Sequence, residues 1–364
     1  MNMERVHRRE SNFDILRSLA MLSIVLAHAL NYGMYKGKEI SFYSSMNSLF
    51  YPLFSTISSL GVELFVLITG YFLSGTTMRL DKIGKIWVET FFYSLVIALI
   101  FQFGTSYDVK LIDFVFPIRN NQYWFVTQYL GLLLLAPFLN LLVNILSKKK
   151  FQGLLFVLFM LVCTISFNIP YGNIIIEGAG TSLFLFIYIF LIGAYFRKHG
   201  FPHVIQMNSG KFFLILLLLQ WLGGIAINMS RPIGLYGGFS ISYNGLSLLT
   251  AIMFFVYFKE IKVKDHLITR LILKTSSLTF GVYLIHEHAC VRHWIWKEQL
   301  DLISYWNLPY YWIIVILLCL AIFVICIMID DVRRWLFEVF RITDLIDACS
   351  SKLYRIFSQK ENLF

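Results

Sequence analysis

Charge is scarce in this 364-residue chain: Asp, Glu, Lys and Arg make up 14% of it, where a water-soluble domain carries roughly a quarter. That is too little to clothe a soluble globule. Cysteine is sparse as well. Cys163, Cys290, Cys319, Cys326 and Cys349 show no CxxC and no paired spacing, which argues against a disulfide framework or a zinc knuckle and leaves small packing residues. His286-Glu287-His288 is HEH rather than HExxH, so the zinc-protease signature is missing and no metal is expected. Internal repeats, low-complexity linkers and a separate soluble domain are likewise not seen. The first apolar block holds Asp14, Arg17 and His28 and lacks a small-residue cleavage site, so it does not read as a cleaved signal peptide.

What the chain has instead is apolar length. Hydrophobic residues make up 58% of it, with a mean hydropathy of +0.70, and they fall in blocks of about 20, the length that crosses a hydrocarbon core. The runs predict spans at Phe13–Gly33, Tyr51–Leu73, Ile86–Phe103, Tyr123–Leu146, Phe151–Asn168, Thr181–Phe196, Phe212–Met229, Ile241–Phe258, Leu271–Cys290 and Tyr310–Ile329. The expected fold is all-α: a polytopic membrane helix bundle of about ten transmembrane helices. The lipid bilayer is its solvent.

A net charge of +10 raises the question of nucleic acid, but the placement of the charge answers it. With ten spans, Lys36, Lys38, Lys110, Arg119, Arg231, Arg292 and Lys297 are the only loop cations on one side. All the others fall on the opposite side, which the positive-inside rule makes cytoplasmic, together with both termini. The excess is a topology signal, and no nucleic-acid partner is expected. Residues 1–329 then form the membrane domain. The tail, 330–364, alternates apolar and charged residues at helical spacing and is expected to lie along the inner membrane surface.

Ionisable groups at membrane depth cost about 2.5 to 3.5 kcal/mol each on insertion scales, so each asks for a partner or a function. On the first span Asp14 and Arg17 are i,i+3 neighbours, and His28 follows Arg17 by eleven positions. That returns it to within about 20° of the same face, about 16.5 Å further along. The stripe reads as a polar path, or as a snorkelling Asp14–Arg17 pair with His28 bonding between helices. Glu63 lies mid-span with no interface to reach. His286 sits about 22 Å up from Leu271, the same depth that His28 reaches from Phe13; Glu287 and His288 read as solvated at the interface. Arg119, Tyr123 and Trp124 form either an interfacial aromatic belt or a stacking platform for sugar.

Taken together, FDILRSLAMLSIVLAH, GVELFVLITGYFLSG, Tyr123-Trp124-Phe125 with Ala136-Pro137, and SSLTFGVYLIHEH resemble, in order, four motifs of the acyltransferase 3 family. Its members O-acetylate bacterial cell-envelope polysaccharides and related acceptors. Arg17 and His28 fit the family's first-helix arginine followed after ten residues by histidine, with Asp14 in the accompanying acidic place. Ile68-Thr69-Gly70 stands where Leu-Ser-Gly is commoner, and the basic loop carries Arg79, Lys82 and Lys85 where several arginines are usual. The resemblance implies a multi-pass protein of the bacterial cell membrane with no permanently bound cofactor. It would move an acetyl group from cytoplasmic acetyl-CoA to a hydroxyl of a polysaccharide or lipid-linked glycan.

In that reading Arg17, held by Asp14, joins Arg79, Lys82 and Lys85 on the coenzyme phosphates. His28 is the general base, with acyl carrier as the other role open to it, and Glu63 or His286 orients it. Arg119, Tyr123 and Trp124 meet the acceptor. Two alternatives stay open: a polysaccharide or lipid-sugar flippase, since intramembrane charge also lines transport paths, and transfer of succinyl instead of acetyl. A polysaccharide polymerase fits less well, because the outer loops look too short for its chemistry.

Overall fold

The computed structural model describes residues 11–34, 45–118, 122–164, 182–230, 245–264 and 266–360. Among these the only regular secondary structure is helix, with no strand. The first half runs α1 (Ser11–His28), α2 (Tyr51–Leu73), α3 (Leu80–Gly104), α4 (Leu111–Val115), α5 (Trp124–Ile145), α6 (Lys148–Phe159) and α7 (Leu183–His199). The second half runs α8 (His203–Ser230), α9 (Gly245–Glu260), α10 (Leu267–Thr275), α11 (Thr279–His286), α12 (Ala289–His293), α13 (Tyr311–Val339) and α14 (Ile342–Lys360).

Among the described residues, six helical segments are long and apolar enough to cross a membrane: Ser11–Gly33, Tyr51–Leu73, Leu80–Gly104, Trp124–Ile145, His203–Ala226 and Tyr311–Val339. The other four predicted spans correspond to shorter described helices. α6 and α9 adjoin residues outside the description, α7 has 17 residues, and the ninth span is broken. Lipid-facing character shows in the exposed apolar row Ile313, Ile316, Leu317, Leu320 and Val324 on α13, which only a hydrocarbon solvent leaves without penalty.

α2 is the axis of the bundle, packed against α1, α7, α8 and α9. It starts with Pro52 in its first turn, where a missing N–H costs no helical bond. Its contact with α7 is backbone on backbone. A Cβ at Gly70 would strike the Phe190 carbonyl, and one at Gly193 the Leu67 carbonyl. Small residues at a helix crossing provide the close van der Waals packing that replaces the hydrophobic drive in lipid.

One predicted span differs from the sequence expectation. Leu271–Cys290 is not one helix. α10 gives way to a tight 3-10 turn at Ser276–Leu278 before α11 begins, and α11 stops at His286. Thr275, Ser276 and Thr279 turn their hydroxyls back onto the carbonyls of Leu271, Leu273 and Ser276, a competition with the helix ladder that bends or breaks it. Past Ile329, α13 continues through Asp330 and Arg333 to Val339. Arg341, with φ of 52°, then reverses the chain. α14 returns along α3, with Asp347 on Lys85 at 2.7 Å and the Tyr354 hydroxyl accepting from the Leu80 N–H.

Gly193→Leu forces α2 and α7 apart and is expected to cost about 3 kcal/mol of stability. Gly153→Leu, on a face of α6 with open space, should leave stability unchanged. Thermal unfolding of the detergent-purified protein checks both.

Candidate active site

α1, α2, α3, α5 and α11 enclose a cavity of about 270 Å³. At one end Arg17, Lys82 and Lys85 line it; further in come Met21, Ile24 and Ile68, then Phe125 and Tyr283. Arg17, Met21 and Ile24 repeat at helical spacing on α1, as do Lys82, Lys85, Ile86 and Glu89 on α3, so each helix offers one stripe to the cavity. The Arg17 guanidinium is held by Asp14 Oδ1 at 2.7 Å and lies over Phe72. Lys82 lies over the Tyr129 ring at 5.8 Å. Arg79 closes a two-pronged pair with Asp81 at 3.0 and 2.9 Å and does not line the cavity.

His28 lies one turn beyond Ile24. Its Nδ1 is 2.8 Å from Nε2 of His286, so the two histidines placed at equal depth by sequence counting meet across α1 and α11. The tautomers follow from the acceptors. His286 Nδ1 lies 2.5 Å from the Val282 carbonyl, which can only accept, so that nitrogen carries the proton and Nε2 offers a lone pair. His28 Nδ1–H donates to that lone pair, which leaves His28 Nε2 unprotonated. No hydrogen bond among the described residues engages it. Immediately past His28 the helix widens into a π turn, Ala29–Gly33, a distortion found mostly as single turns at functional sites.

Glu287, at the end of α11, is the carboxylate nearest to this pair. Its Oε2 lies 3.1 Å from His28 Nδ1 but out of hydrogen-bond alignment, and it makes no hydrogen bond. Its Oε1 accepts from Arg292 at 2.7 Å and from the Tyr32 hydroxyl at 3.4 Å, while Arg292 stacks over the Tyr32 ring at 4.7 Å. An imidazolium forming at His28 would therefore meet a carboxylate already in place. The reading of Glu287 as a solvated interface group is corrected: it is 1% exposed. The signal available in sequence was Tyr32, one turn after His28, and Arg292, one loop after Glu287. His288 is structural, with Nε2–H on the Ser94 carbonyl at 3.1 Å and Nδ1 capping Cys290 at 3.2 Å.

The remaining predicted residues lie apart from the histidine pair. Glu63 is buried on α2 and accepts from Ser247 of α9 at 3.0 Å, within a chain that continues to Ser59; no hydrogen bond joins it to His28 or His286. Tyr123 is buried and donates to the Leu284 carbonyl at 3.1 Å, supporting α11 from within. Trp124 opens α5 and packs on Phe125 and Phe186. Arg119 lies outside the described residues.

A family model described as an acyltransferase domain matches residues 10–329. The chain belongs to the acyltransferase 3 family. It is a membrane acyltransferase, and the match takes in the cavity, the histidine pair and Glu287, stopping short of α14. No curated protein and no solved structure gives a significant match. For an acyltransferase, a buried imidazole with a free lone pair is a group suited to take an acceptor's proton.

His28→Ala is expected to lower acyl transfer by about 10² to 10⁴-fold, the usual contribution of a positioned base. Glu287→Gln, which keeps the shape and removes the charge, should lower kcat by about tenfold or more with little change in the donor KM. Steady-state transfer by the purified variants reads both.

Proposed function

We propose that this acyltransferase carries an acetyl group from cytoplasmic acetyl-CoA to a hydroxyl of a cell-envelope polysaccharide or its lipid-linked precursor on the far side of a bacterial cell membrane. One observation carries the reading: a single cavity begins at three cations and ends beside Tyr283, whose ring lies 6.5 Å from that of His28. Arg17, Lys82 and Lys85 suit the coenzyme phosphates. The rise of about 16.5 Å from Arg17 to His28 suits an extended pantetheine arm. In this reading the chain spans the bilayer about ten times, with both termini cytoplasmic and the cationic mouth inside.

The reaction balances without a resident cofactor or metal. His28 Nε2 takes the proton of the acceptor hydroxyl as its oxygen attacks the thioester carbonyl. The tetrahedral intermediate collapses with loss of the thiolate, which receives the proton from His28 and leaves as coenzyme A. Glu287 balances the imidazolium between the two steps, and His286 keeps Nδ1 protonated so that Nε2 faces the reaction. Tyr283 lines the deep end of the cavity, and its hydroxyl is the side-chain donor that would hold the carbonyl oxygen. Ile24, Phe125 and Tyr283 at the deep end offer no cation to a succinyl carboxylate, which favours acetyl.

Proteoliposomes holding the protein with acetyl-labelled acetyl-CoA inside and glycan outside should place covalent label on the external glycan. Passage of glycan or label without a covalent product would replace this reading with a carrier.

A further inference from the structure

Glu89 is unexplained by the chemistry above. It lies on α3, seven residues above Lys82 and four above Lys85, and lines the same cavity. Its side chain is 16% exposed, and its nearest charged partner is Arg333 of α13 at 3.4 Å. That arginine does not depend on it, because Asp330 already grips Arg333 through Nε at 2.6 Å and Nη2 at 3.1 Å. Tyr93 completes the Asp330 shell at 2.7 Å. No hydrogen bond is made to either Glu89 oxygen, and neither is among the fully buried unpartnered atoms, so both border open space. A carboxyl at this depth with no hydrogen bond is expensive unless a ligand supplies one.

Toward the lysine end the polar groups are already committed: Thr69 Oγ1 bonds the Phe65 carbonyl and the Tyr129 hydroxyl, and Lys82 lies over the Tyr129 ring. Depth then narrows the ligand group. Glu89 stands about 6 Å above Lys85 and about 10.5 Å above Lys82 along α3. In an extended pantetheine chain, at about 1.2 Å per bond, the first amide N–H lies about 7 Å from the phosphorus, the second about 12 Å, and the sulfur about 16 Å. Phosphate at the lysines and sulfur at His28 leave the first amide level with Glu89, beside the carbinol hydroxyl that precedes it about 6 Å from the phosphorus; the amide N–H, at about 7 Å, falls between the steps from Lys85 and from Lys82.

We propose that Glu89 is the specificity-determining acceptor for the donor's pantetheine arm, hydrogen-bonded to its first amide N–H. This rests on acyl-CoA being the donor. The carboxyl would distinguish a pantetheine thioester from other phosphorylated or acylated molecules that the cationic mouth attracts, and would fix how far the arm advances toward His28.

Binding of coenzyme A and of adenosine 3′,5′-bisphosphate, which lacks the arm, to the detergent-purified full chain tests it. Glu89→Ala should weaken coenzyme A about tenfold, the scale of one hydrogen bond to a charged group, and leave the bisphosphate unchanged. Glu89→Gln, which keeps one acceptor oxygen, should fall between Glu89→Ala and the natural protein. A coenzyme A analogue with the first amide N–H replaced by an ester oxygen should bind the natural protein about tenfold more weakly, a comparison that needs no variant to fold. Equal binding of coenzyme A by Glu89→Ala, equal loss of both ligands, or no penalty for the ester would overturn the inference. Failure of the natural protein to bind either nucleotide would instead overturn the donor reading beneath it.

Discussion

The hydrogen bond between His28 Nδ1 and His286 Nε2 joins the two segments on which the rest of the site depends. It links α1, whose opposite end carries Arg17, to α11, whose end carries Glu287. It also sets the protonation pattern. Because His286 spends its own proton on the Val282 carbonyl, the direction of donation across the pair is fixed, and the free lone pair is left on His28. In lipid, where no water can repair a lost partner, such a chain of donors and acceptors is strongly constrained. A break in it would turn the base the wrong way, as well as weaken the bundle.

Glu287 keeps the helical course at the end of α11, its N–H on the Tyr283 carbonyl at 3.1 Å, and from there it reaches the His28 ring, with Arg292 from the following turn holding it. The back-bonding hydroxyls of Thr275, Ser276 and Thr279 start the break on the other side of α11. Irregular backbone within a membrane is tolerated where protein covers it, and α3 and α13 pack against α11 here. The tight α2–α7 crossing serves the same end, since it fixes the helix that forms one wall of the cavity.

Much of this was legible in the sequence. Hydropathy located helices in every predicted span that falls within the described residues, and the eleven-residue step from Arg17 to His28 placed a cation and an imidazole on one stripe. Counting rise per residue put His28 and His286 at one depth, and they touch. What periodicity does not carry is which polar group meets which. Glu63, the carboxylate most conspicuous in an apolar run, is taken up by Ser247 on a neighbouring helix, while Glu287, masked by its place near a predicted span end, reaches the imidazole. Arg79 was grouped with Lys82 and Lys85 as the basic loop of the family resemblance; it precedes α3, and its pair with Asp81 turns it from the cavity. Glu89 sat in an apolar run with no motif around it, and its role shows only in the cavity it shares with the lysines.

The central claim is that the acyl group travels along this cavity to His28. A coenzyme A thioester bearing a photoreactive acyl group, cross-linked and mapped by peptide sequencing, tests it most directly. Labelling of Ile24, His28 or Tyr283 at the deep end is the predicted result. Labelling confined to residues beyond the cavity, on α8, α9 or the lipid-facing side of α13, would contradict the account.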